Sequence, residues 1–137
     1  QLTTKVRVMK YTSITLALLT ASSLTIAQMH KHHDFPAAVT QFHNLMAPLW
    51  HSPPGGERSA AICKQSTKLL QDARGIDDAA VPDGVDPADW KSATARLIDA
   101  VDQVQVACTK MESSTNDLFD DVHESFHQLV RLVGHSH

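Results

Sequence analysis

The chain has 137 residues, 42% of them hydrophobic and 20% charged, with a formal net charge of −3. That length holds one modest domain and not two of ordinary size. The charge has the wrong sign for a nucleic-acid or anionic-membrane partner, and more so once the start of the chain is set aside.

Residues 1–27 read as a leader. Met9-Lys10 gives a basic start, and "YTSITLALLTASSLTIA" (11–27) is an uncharged, mostly apolar run ending on the small residue Ala27. That order describes a cleaved secretory signal peptide; the run is too short and polar for a membrane span of about 20 apolar residues. Setting it aside removes Lys5, Arg7 and Lys10 and no acid, leaving 9 basic against 15 acidic residues, a formal charge of −6. The expectation is one periplasmic or secreted domain over 28–137, with no membrane attachment after cleavage. All nine histidines lie in that part.

Four segments follow with helical periodicity, and none reads as a strand. Helix 1 is expected from about Asp34 to His51, with Phe35, Val39, Phe42, Met46 and Leu49 on one face. Asp34 can cap it and Pro36 suits its first turn, while Pro48 should distort its last turn by crowding the carbonyl of Asn44. "SPPGGE" (52–57) breaks the pattern. Helix 2 is expected over Glu57–Arg74, with Gly75 as its C-terminal cap and a weak stripe of Ile62, Cys63, Leu69 and Leu70. The loop 75–86 leads to Asp86 as N-cap, Pro87 at the first helical position and Asp89 in the first turn. Helix 3 then carries Trp90, Thr94, Leu97, Val101, Val104, Cys108 and Met111 at heptad spacing. Helix 4 starts within 113–117, carries Phe119, Val122, Phe126, Leu129 and Val133, and ends at Gly134. Four amphipathic helices with mostly short connections predict an all-α, antiparallel up-down-up-down four-helix bundle.

Cys63 and Cys108 fall on helices 2 and 3. In an oxidising compartment a pair of cysteines defaults to a disulfide, and neither has a His or Cys at ligand spacing.

The histidines form two sets. With Phe119, Phe126 and Val133 as a positions, His123 is e and His127 is b, one helical turn apart. On helix 1, His43 is also e, so antiparallel packing of helices 1 and 4 predicts His43 opposite His123 and Val39 opposite His127. Two histidines at i, i+4 plus a third from a facing helix make a nitrogen donor set for zinc, copper or nickel. His51 points outward in this register unless Pro48 rotates the last turn. The second set is terminal: His30, His32 and His33 before helix 1, His135 and His137 after helix 4. Both termini of such a bundle emerge at one end, where these five would form a secondary metal-binding patch. A homodimer could complete the coordination.

"HESFH" (123–127) also fits H-E-x-x-H, the pattern of zinc metallopeptidases with Glu124 as general base. The extended pattern needs Gly at 130 and His at 133, where this chain has Val130 and Val133. No acidic residue follows His127, and no edge strand is predicted to hold a peptide. A minimal metallopeptidase is therefore a secondary alternative to non-catalytic metal binding.

"FHNLMAPLWH" (42–51) and "VHESFH" (122–127) together resemble a group of small exported four-helix proteins. There, an F-H-x-x-x-x-P-L-x-H element on helix 1 accompanies an H-[DE]-x-[FY] type element on helix 4. The likeness implies His43, His51, His123 and His127 as site residues, and no activity comes with it. The length is also similar to that of periplasmic haem-b four-helix bundles, which take axial ligands from helices 1 and 4. Under that second likeness Met46 or His43 would pair with His123 in an electron carrier. The primary expectation is a periplasmic metal-buffering, delivery or resistance protein without catalysis.

Overall fold

The computed structural model describes residues 35–134, so the leader, Asp34 and the five terminal histidines lie outside the described residues. Pro36 begins the first helix from the cap position. Its carbonyl accepts from the amides of Val39 (2.9 Å) and Thr40 (3.1 Å), and α1 runs Ala37–His51. The sequence had suggested a start a turn earlier; Phe35 instead precedes the helix and is 42% exposed. Pro48 does not end α1, because its missing N–H forfeits only one bond in the last turn. Ser52 Oγ caps that turn by donating to the Pro48 carbonyl at 2.9 Å.

Helix α2 spans Gly56–Asp78 and so passes through Gly75, which is not its cap. The reason lies one residue on. Ile76 is fully buried on the stripe of Ile62 and Leu69, so an extra turn of helix buries more than a cap at Gly75 would save. Asp77 then reaches α3, accepting from Thr94 Oγ1 (2.6 Å) and Lys91 Nζ (2.8 Å). The Lys91 ammonium, and then the Thr94 hydroxyl, hold its carboxyl below the usual carboxylate range.

Helix α3 (Pro87–Lys110) starts as expected, with Asp86 accepting from the amides of Ala88 (2.8 Å) and Asp89 (3.2 Å). Its heptad stops before Met111. That residue takes a left-handed conformation (φ 57°) as the C-cap and is 92% exposed, so it is not core. The Glu112 amide donates to the Ala107 carbonyl at 3.0 Å, closing the helix end. Helix α4 spans Thr115–Gly134.

The four helices form an all-α bundle, and side-chain pairs give their directions. Cys63–Cys108, Thr67–Gln105 and Asp77–Thr94 run oppositely along α2 and α3. Gln41 of α1 donates to buried Asp72 near the far end of α2 (2.8 Å), and Lys68 joins the same carboxylate. Along α1 and α4, Phe42 meets Phe126 and Trp50 meets His123, again antiparallel. Across the diagonal, α2 and α4 touch through Arg58–Asp120 and Asn116–Ser59, whereas α1 and α3 do not approach closely. The core is the joined stripes: Val39, Phe42 and Met46, then Ile62, Leu69 and Ile76, then Leu97, Val101 and Val104, then Phe119, Val122 and Leu129. Among the four neighbouring helix pairs, α1 and α4 pack least closely. Among the described residues no helix is long and apolar enough to cross a membrane.

Candidate metal centre between the first and last helices

The loose α1/α4 seam opens as a groove of about 400 Å³. His43 and His51 line it from α1, and His123 and His127 line it from α4. Its walls are apolar, formed chiefly by Val39, Met46, Phe126 and Val130.

One helical turn sets the α4 pair. His123 and His127 bring their Nε2 atoms to 3.0 Å, with the ring planes at 67° and the centroids 4.4 Å apart. Two imidazole nitrogens held by one ion at about 2.0–2.1 Å, at angles from square-planar to tetrahedral, stand about 2.9–3.4 Å apart. The same spacing also suits a hydrogen bond between neutral imidazoles, one donating and one accepting. The first arrangement would make the pair a two-nitrogen clip; the second would leave one nitrogen protonated toward the other.

The facing residues differ from the expected register. Trp50, not His43, covers His123, ring on ring at 3.6 Å and nearly parallel (6°). His43 lies beside Phe126, with centroids 5.9 Å apart, and Phe126 also stacks on Phe42 at 5.3 Å. Depth counted from helix ends is blind to which aromatic ring needs cover, and here the indole of Trp50 takes the imidazole that His43 was expected to face. Among the described residues no three His, Cys, Asp or Glu side chains converge closely enough to hold an ion. His43 and His51 share the groove with the α4 pair without closing on it. Cys63 and Cys108 are bonded to each other and so supply no thiolate.

Arg58 was not anticipated, although it falls four residues before Ile62 on the core stripe of α2. Its side chain is only 4% exposed. The guanidinium lies 5.1 Å from the Trp50 ring centroid and 5.5 Å from that of Phe119, and it donates to Asp120 at 3.1 Å. Trp50 therefore touches a buried cation from α2 as well as His123 from α4.

Glu124 stands outside the groove. Its carboxylate accepts from Gln128 (3.3 Å) and Arg131 (3.1 Å), which hold it below the usual carboxylate range. This is how an i, i+4 and i, i+7 surface network supports a helix.

No protein-family model, no curated protein and no solved structure matches the chain. Its chemistry is therefore read from its own residues.

Burial, and next the neighbouring His127, hold His123 below the ordinary imidazole range, against the opposing pull of Glu124 and Asp120. The folded chain thus binds fewer protons at His123 than the unfolded chain does. The stability that follows is complete above the unfolded value of 6.5 and is lost as pH falls from there toward the lower folded value. In urea unfolding of metal-free protein at pH 7.5 and pH 5.5, native protein should lose more stability on acidification than His123→Gln. Equal losses would sink this assignment.

Proposed function

We propose that the chain is an exported transition-metal-binding protein that buffers or delivers zinc, Cu(II) or nickel through the α1/α4 groove, without catalysis. The observation that carries this reading is the His123–His127 clip: two ring nitrogens 3.0 Å apart at the edge of a groove that two further histidines line. His123 and His127 would hold the ion. His43 and His51 line the same groove, and one of them would have to move toward the pair to complete the site. The lowered proton affinity of His123 favours this role, because only neutral imidazole binds metal. Export enters the reading from the leader, and the Cys63–Cys108 disulfide fits an oxidising compartment. In such a compartment imidazole-bound metals are favoured over thiolate-bound ones.

The test is titration of the full chain with Cu(II), zinc and nickel against three variants. His123→Ala and His127→Ala should each weaken binding by about tenfold or more, as losing a ligand costs at least what losing its supporting shell does. A variant lacking 28–33 and 135–137 should keep this site and lose only additional, weaker ions. If both point variants bind as tightly as native protein, the reading fails. A Soret band in purified protein would replace it with haem binding.

A further inference from the structure

Rings gather at the α1/α4 groove. Among the described residues ten side chains carry an aromatic or imidazole ring, and all but Phe42, Phe119 and Trp90 line it. Those three are core. Core formation does not account for the other seven, because Phe35, His43, His51 and His127 are exposed at the groove rather than buried. The groove is also layered. Val39, Met46 and Phe126 are buried and make its floor, whereas the exposed imidazoles stand at its rim. The ring faces are largely taken inside the protein: Phe126 stacks on Phe42 and His43, and Trp50 lies on His123 with the Arg58 guanidinium 5.1 Å from its centroid. Ring edges and the Met46 thioether remain for a guest. Edges carry the positive end of the ring quadrupole, and sulfur contacts rings favourably, so both suit the electron-rich face of a planar aromatic molecule. A volume of about 400 Å³ is near the lower end of the range for ligand sites, about 300–1,000 Å³, which suits a small guest.

We infer that this groove binds a small planar aromatic molecule bearing a hydroxyl group, a phenol in the broad chemical sense, with no metal ion required. The ring lies on the floor of Val39, Met46 and Phe126, and the hydroxyl donates to an imidazole at the rim. A neutral imidazole carries one accepting nitrogen, so the rim offers that partner without a charged group. A saturated molecule of the same shape would cover the floor and forgo the ring contacts. An aromatic molecule without a donor would leave the rim imidazole to water. Binding of this kind is separate from the metal-binding reading and does not rest on it.

The experiment uses the full chain in excess chelator at about pH 8, above the reference imidazole value of about 6.5. It is titrated with β-naphthol, with the fully hydrogenated β-decalol, and with β-naphthyl methyl ether, which lacks the donor. Calorimetry gives the affinities, and NMR follows the ring protons of His43, His123 and Phe126. β-Naphthol should bind saturably and shift those protons. It should outbind β-decalol by about fivefold or more and the methyl ether by about threefold or more. Burial of apolar area alone would not favour it, since neither competitor is less apolar. Ala47→Leu fills the groove from a half-buried lining position and keeps a good helix former. It should retain the helical circular dichroism and weaken β-naphthol by about tenfold. If that variant does not fold, the three compounds on native protein still decide. No saturable β-naphthol binding up to its solubility overturns the inference. Equal or tighter binding of β-decalol or of the methyl ether does so too, as do shifts confined to protons outside the groove. The chelator keeps the two readings apart: copper titration can fail while β-naphthol binds, and the reverse.

Discussion

Replacing Cys63 and Cys108 together by serine should lower the stability of the fold by about 4 kcal/mol, the largest single effect in this molecule. The bridge closes a sequence separation of 45 residues, and the chain-entropy cost of that loop gives this figure. Position matters as much as length. The 79–86 connection ties α2 to α3 at one end, and the disulfide ties them near the other, close to where α2 starts and α3 ends. Without it, the α2/α3 seam keeps its buried apolar stripes, but its polar ties reduce to Thr67–Gln105 and the Asp77 contacts, which are individually weak. For a domain of this size the melting temperature should fall by about 15–25 °C, read by calorimetry on metal-free protein. A fall of under about 5 °C would show that the denatured chain is already compact enough to make the bridge redundant.

Phe126→Ala should cost about 3 kcal/mol, at the low end of the range for truncating a buried aromatic. Phe126 is 4% exposed and stacks on Phe42, so the loss combines transfer, cavity and an aromatic pair across α1 and α4. The low end is expected because one side of the side chain faces the groove, where water can enter the space it leaves. Phe126→Leu keeps most of the volume and should cost about 1 kcal/mol. Urea denaturation of the two variants separates the contributions. Equal costs would mean that the ring itself, not its volume, holds the seam.

The periodicity of the sequence reveals the four helices because each stripe is written in large apolar residues at spacings of 3 and 4. Where that reading went astray, a local backbone rule competed with burial. At Gly75 the cap signal was real, but fully buried Ile76 outweighed it. At Met111 the heptad arithmetic continued after the backbone had turned left-handed. The groove follows from topology: helices 1 and 4 are neighbours, and their histidines lie near the seam. The facing pairs do not follow, because a shift of one heptad, about two turns, exchanges His43 for Trp50 while leaving every core stripe buried. Arg58 was hidden by its type. A charged residue on a core stripe reads as a flaw in the stripe until two aromatic rings and a carboxylate are seen around it.

Those rings have a mechanical consequence. Helix α1 ends four residues after a proline-free stretch, with Pro48 in its last turn, a place where a helix of this length would ordinarily fray. Trp50 prevents that from two directions, since it lies against the His123 ring and the Arg58 guanidinium. Lifting the last turn of α1 would uncover a buried cation on α2 and an imidazole on α4 at once. Three helices thus meet at one side chain, and opening the end of α1 would cost contacts on all three at once.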